Sequence, residues 1–189
     1  EPLHLRFWEV FGSFWWAVAC LRMSYSYRSG DNPSPERPAI GRRSSEAQMD
    51  CVNLVIPGAY EIPQFDQAAA QLQELPLAQE LLGSVGDWLK QEVAGQLDPR
   101  NAFLARVATN SLATVERELS LGPILHEQES VRLRSLGFDG DLHTMRMELT
   151  AQLREGLALD TEGLAQHLRQ TVAGQLAIDQ PKYSALCAS

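Results

Sequence analysis

Apolar residues recur along most of this chain at the three- and four-residue spacing of an amphipathic helix. The first such stretch, 6–27, carries Trp8, Phe11, Trp15, Val18 and Arg22 along one side. Phe14, Trp16 and Leu21 cover much of the rest. A helix apolar nearly all round expects partners on several sides. Residues 28–38 (RSGDNPSPERP) read as a loop, because Pro33, Pro35 and Pro38 oppose regular helix. A second helix is predicted over 39–55, with Ile40, Ala47, Cys51 and Leu54 at near-helical spacing. Pro57, Gly58 and Pro63 then break the chain, and a boundary is expected between 56 and 75.

The remainder predicts four or five helices. Over 77–97, Leu77, Leu81, Val85, Trp88, Leu89 and Val93 form a stripe that ends at Asp98-Pro99. Leu104, Ala108, Leu112, Val115 and Leu119 repeat the spacing over 101–120, and Gly122-Pro123 reads as a stop. A shorter helix is expected over 124–136, another over 141–155, and a last over 161–178 with Asp160 as its N-cap. Nowhere is there sustained period-2 alternation, so no sheet is predicted. The expected fold is all-α: two N-terminal helices (1–56), a linker (57–74), an antiparallel bundle (75–183) and a frayed C-terminus (184–189).

Composition changes this picture in two places. Residues 1–60 carry six basic and six acidic side chains, whereas 61–189 carry ten basic against eighteen acidic, so the whole net charge of −8 lies in the second part. An acidic bundle repels a phosphate backbone, which disfavours nucleic acid as a partner. Cys20, Cys51 and Cys187 are odd in number and widely spaced, which fits a reduced, cytoplasmic compartment without a disulfide framework or structural zinc. The apolar stretch Phe7–Leu21 is interrupted by Glu9 and is shorter than the ~20 residues of a membrane span, so no membrane segment is expected. The chain starts at Glu1 rather than a methionine, which suggests trimming or a piece of a longer product.

The search for chemistry returns little. There is no GxxxxGK[ST], GxGxxG, HExxH or GxSxG, and the four histidines are scattered. Phe138-Asp139-Gly140-Asp141-Leu142-His143 could place carboxylates around magnesium, but an aspartate capping the helix that starts near Leu142 explains both position and residue type. No catalytic residue, metal or cofactor is therefore assigned. Arg106, Asn110 and Arg117 lie along one line of the 101–120 helix, with Glu118 beside them. Such a row either forms a satisfied network inside a bundle or lines a pocket between helices. His167 and Arg169, on the last helix, complete the candidate binding cluster, with His167 expected half-buried and hydrogen-bonded. Trp8, Phe11, Trp15 and Trp16 form the candidate interface, although a Trp15–Trp16 pair is ordinarily core.

Two resemblances add context. Phe7-Trp8-Glu9-Val10-Phe11-Gly12, Trp16 to Leu21 and Ala39-Ile40-Gly41-Arg42-Arg43 resemble the closing helices of the aminoglycoside-phosphotransferase-like family, in the branch associated with acyl-CoA dehydrogenase-like enzymes. That resemblance covers only 6–55 and includes none of the family's catalytic positions. Arg106 to Leu112, Val115 to Leu119, Leu121-Gly122-Pro123, His167-Leu168-Arg169 and Leu176 to Tyr183 are similar to a bacterial helical domain family without assigned function, which accompanies such phosphotransferases. The two together imply a non-catalytic accessory or interaction module of a small-molecule phosphotransferase. Residues 6–55 would then dock to a phosphotransferase-like lobe or self-associate, with an acyl-CoA dehydrogenase-like protein as a further neighbour. The alternative is the C-terminal part of a phosphotransferase linked to acyl-CoA metabolism, active only once the catalytic lobe is supplied. A weaker third reading is a bundle that binds an acyl or CoA-type molecule, which would require Arg106, Arg117 and Arg169 to converge.

Overall fold

The structure is a computed structural model that describes residues 2–32, 34–56, 58–64 and 77–186. Pro33, Pro57, Cys187 and most of the predicted linker and C-terminal tail lie outside the described residues. Every regular element among the described residues is helical. In chain order these are α1 (Pro2–Arg28), α2 (Glu36–Arg42), α3 (Ser44–Val55), α4 (Ala78–Trp88), α5 (Pro99–Ser135), α6 (Leu142–Arg154) and α7 (Leu164–Asp179). A π-helical turn (Leu89–Val93) and a 3-10 turn (Ala94–Gln96) extend α4 towards α5.

Three local expectations are corrected. Gly122-Pro123 does not stop a helix: α5 runs through it for 37 residues. Proline costs about 3 kcal/mol in a helix interior, but α5 packs against α4 on one part and against α6 and α7 elsewhere, and this packing outweighs one lost bond. Pro38 lies inside α2 rather than in the loop, because the first helical turn needs no N–H from it. Asp160 does not cap α7. The helix begins after Gly163, whose φ of +80° is a conformation that glycine adopts without penalty.

One core lies among α5, α6 and α7. Leu133, Met145, Leu149 and Leu164 are buried there with Phe138, and Leu136, Leu142, Leu153 and Leu168 pack around them. A second cluster joins the two ends of the chain: Met49 of α3 is buried against Ala173 and Leu176 of α7, with Tyr60, Ile62 and Tyr183 around them. Packing therefore crosses the boundary expected between 56 and 75. The α2–α3 segment covers α5 and α7, and α1 lies across α2 and α3. The close passage of α1 over α2 depends on Gly41, where a Cβ would collide with the Ser24 side chain.

The stripes read for α4 and for the first part of α5 are only partly covered. Leu81, Val85, Trp88, Val115 and Leu119 are exposed, because α4 meets α5 along the line of Gly83 and Gly86 and turns its bulky residues outward. No helix among the described residues is long and apolar enough to cross a membrane.

Candidate functional site

An open cleft of about 740 Å3 lies between the second half of α1, α2, α5 and the C-terminal end of α7. Asn110, Thr114 and Glu118 line it from α5, being four residues apart and hence on one face. Ser24 and Tyr27 face it from α1, and Arg42 from α2.

Arg117 stands beside this row and reaches the end of α7. Its Nε donates to the carbonyl of Ile178 at 2.6 Å, and its Nη2 donates to Thr114 Oγ1 at 3.1 Å. The last carbonyls of a helix have no intrahelical donor and carry the negative end of its dipole, so a guanidinium there acts as a cap. Burial lowers the pKa of Arg117. Asp179, the last residue of α7, is an anion where the dipole disfavours one. Arg42 Nε lies 2.9 Å from its Oδ1, and Gln175 Nε2 donates to its Oδ2 at 3.0 Å. Burial pushes the Asp179 carboxyl up, opposed by Gln175 and Arg42. Arg42 also pairs with Glu118. Two guanidinium groups and two carboxylates thus lock α2, α5 and α7 together.

The cluster is an ion-paired network along the wall of a cleft, in which Asp179 Oδ1 lies 2.9 Å from Arg42 Nε but has no hydrogen-bond donor. Its charged groups are committed to one another, and it contains no histidine or thiol. Among the described residues that line it there is no nucleophile–base pair.

The six predicted binding residues divide among several places. Asn110, Arg117 and Glu118 come together here. Arg106 is exposed and stacks on Phe103, 5.8 Å from the ring centre. Arg169 is buried, donates to the Ile56 carbonyl at 3.0 Å and lies over the Tyr60 ring. The convergence of Arg106, Arg117 and Arg169 that a CoA-type polyanion would need is not formed. His167 is buried rather than half-buried, and its Nδ1 has no hydrogen-bond partner in the structure. Desolvation, aided by the positive charge of Arg132, lowers its pKa to about 4, so the ring is neutral at pH 7. Beside it Arg146 grips buried Glu129 with two bonds of 2.8 and 2.5 Å.

Sequence reasoning missed Arg42, Asp179, Glu129, Arg132 and Arg146. Asp179 did carry a signal, since an acidic residue in the last turn of a helix calls for a cationic partner. Arg42 came from a segment assigned to another unit, which hid it.

A narrower pocket of about 490 Å3 lies between Tyr60–Pro63, α5 and α7. Gln170 pairs there with both backbone groups of Glu61, accepting from its N–H at 2.9 Å and donating to its carbonyl. The Asp139–His143 segment is a cap, as expected. Asp141 accepts from Thr144 N at 2.9 Å and from Thr144 Oγ1 at 3.0 Å, which hold its carboxyl below the usual range. Among the described residues no group of three or more His, Cys, Asp or Glu side chains could hold a metal ion. Cys20 is a buried free thiol and Cys51 a half-buried one.

The candidate interface is on α1. Trp8, Phe11 and Trp15 point away from α2 and α3 and are exposed. Phe7, Trp8 and Phe11 already touch one another, with ring centres 5.2 to 6.2 Å apart. Trp16 sits to the side under the Arg43 guanidinium, 6.0 Å from the ring centre. The Trp15–Trp16 pair is not core.

Among the described residues the fold is all-helical. Residues 95–183, which take in α5, α6 and α7, match the family model described as a domain of unknown function, DUF6285. No curated protein and no solved structure matches the chain.

Proposed function

We propose that this chain is a non-catalytic helical accessory module of a small-molecule phosphotransferase, acting in the cytoplasm and making its contacts through α1. The observation that carries the reading is the outward aromatic face of α1, with Phe7, Trp8, Phe11, Phe14 and Trp15 all exposed. A contiguous apolar patch of several hundred Å2 marks an interface, and on α1 the exposed residues are mainly large aromatics that touch one another. The resemblance of residues 6–55 to the closing helices of the phosphotransferase-like family supplies the kind of partner. The charge-balanced cleft supports a role without chemistry of its own.

Purified full-length chain is mixed with a kinase-fold lobe of the aminoglycoside-phosphotransferase-like type. The reading expects a complex that is lost when Trp8 and Trp15 are both changed to Ala, and no magnesium-dependent ATP turnover by the chain alone. Absence of a complex, or turnover by the chain that a point change abolishes, overturns it. Turnover by the mixture, where neither component turns over alone, replaces it with the reading of a divided enzyme.

A further inference from the structure

The geometry points to a second copy of this chain as the occupant of the α1 face in the free protein, paired helix to helix and antiparallel. The inference rests on α1 being the docking face and names what covers that face before any other partner does.

α1 is already anchored along one side. Val10, Ser13, Ala17, Cys20 and Ser24 are half-buried or buried where it lies across α2 and α3. A helix on a globular surface needs only that one apolar face. A second face runs beside it: Phe7, Phe11, Phe14, Val18, Leu21 and Tyr25 follow one another at alternating steps of four and three residues. All six are between 48% and 69% exposed. Steps of four and three give a period of 3.5, the repeat of a helix that winds around another helix rather than lying on a bundle of its own. The seam spans three heptads on a helix of 27 residues, about 40 Å long.

Three observations select a second copy. The first is area. A buried aromatic side chain covers about 150–250 Å2, and these six residues together with Trp8 and Trp15 are roughly half exposed. They leave on the order of 800 Å2 open, the amount each partner contributes to a stable interface of ordinary size. The second is charge. Residues 1–60 are neutral while 61–189 carry −8, so two copies meet through the part that does not repel. The third is fit. Laid antiparallel, Phe7 faces Tyr25 of the second copy, Phe11 faces Leu21, and Phe14 faces Val18, so that a large residue meets a smaller one in the inner layers and an aromatic pair closes each end. Trp8 then meets the exposed Arg22 of the second copy, a cation over an aromatic face, and the two Trp15 rings meet at the two-fold axis. A parallel pair would instead stack phenylalanine on phenylalanine in three consecutive layers and leave Arg22 without an aromatic partner.

The test uses the full chain. Sedimentation equilibrium at about 10 μM, a concentration that populates a complex of micromolar affinity, is expected to show a dimer. Val18→Glu places an unpaired carboxylate in each half of the seam and is expected to weaken the dimer at least about 100-fold, with the helical circular dichroism unchanged. Trp16→Ala, outside the seam, is expected to leave it intact. Orientation is read by disulfide capture in chains with Cys51 and Cys187 changed to Ser. Phe11→Cys chains mixed with Leu21→Cys chains are expected to form a mixed disulfide, while either alone does not, because ten residues of helix hold like positions about 15 Å apart.

A wild-type chain that is monomeric, or a Val18→Glu chain as dimeric as wild type, overturns the pairing. Disulfides formed by Phe11→Cys alone overturn its direction. A monomer that still binds the phosphotransferase lobe refutes only the pairing. A dimer that never binds the lobe leaves the pairing standing and refutes the phosphotransferase association.

Discussion

The α1 layer and the α5–α6–α7 end are both rich in large apolar residues, and they use them in opposite ways. At the α5–α6–α7 end, Leu133, Met145 and Leu164 are completely enclosed, and even charged Glu129 and titratable His167 are drawn inside. Among the described side chains of α1 only Cys20 is fully buried, while Phe7, Trp8, Phe14 and Trp15 face outward. Hydrophobicity alone therefore does not decide what becomes core. A residue is buried when helices reach it from more than one direction. α6 and α7 both reach the second half of α5, whereas α1 meets α2 and α3 on one side only.

The comparison breaks most readily at the closed end. Leu133→Ala removes a fully enclosed side chain, and we expect a loss of about 3 kcal/mol. A domain of this size loses roughly 2–4 °C per kcal/mol, so thermal melting should shift down by about 10 °C. Trp15→Ala on α1 should remove association, and at protein concentrations low enough that wild type is monomeric it should move the melting temperature by less than about 2 °C. Equal melting shifts for the two variants would abolish the distinction between the regions.

Acid should act on the closed end next. His167 has a folded pKa of about 4 against an unfolded value near 6.5. The unfolded chain therefore binds the extra proton first, and stability falls as pH drops from about 6.5 to about 4, by roughly 3 kcal/mol in total. Asp179 works in the opposite sense, because its raised pKa makes the folded state take up a proton more readily as pH falls. His167→Gln should flatten the urea-denaturation stability profile between pH 4 and 6.5. A wild-type profile already flat over that range would mean that the ring is not desolvated in the fold.

Arg146→Ala should cost about 2 kcal/mol, since it leaves the buried Glu129 carboxylate without its two-pronged partner. Chemical denaturation measures it, and Arg146→Lys should restore only part, having no fork to present. A smaller effect is expected at the base of α1. Gly41→Ala forces a Cβ against Ser24, costing about 1–2 kcal/mol. Combining it with Ser24→Gly should recover most of that loss. Failure of the double variant to recover would show that α1 and α2 do not approach as closely as described.

Much of the helical layout was legible beforehand. The 3.6-residue stripes of α6 and α7, the aspartate cap of α6 and the absence of strands among the described residues follow from local periodicity and from hydrogen bonds between near neighbours. Such features depend on residues within one or two turns of each other, and the sequence order already contains them. The resemblance read from Arg106 to Tyr183 falls within the DUF6285 match at 95–183.

What tertiary structure alone decided has a common cause. Pro123 is a stop by every local rule, yet α5 continues, because contacts with α4, α6 and α7 outweigh the lost bond. Arg106, Asn110 and Arg117 were read as one row with Glu118 beside it, but the meaning of Arg117 and Glu118 comes from Arg42, 76 residues before Glu118, and from the end of α7 at Ile178 and Asp179. Arg106 left that row because successive turns of α5 meet different neighbours, and Arg169 on α7 is held apart at the Ile56 carbonyl and the Tyr60 ring. Equal stripes on α1, α4 and α7 met unequal fates, since the side of a helix that becomes interior depends on which other helices arrive. That choice is made by long-range packing, and no window along the chain contains it.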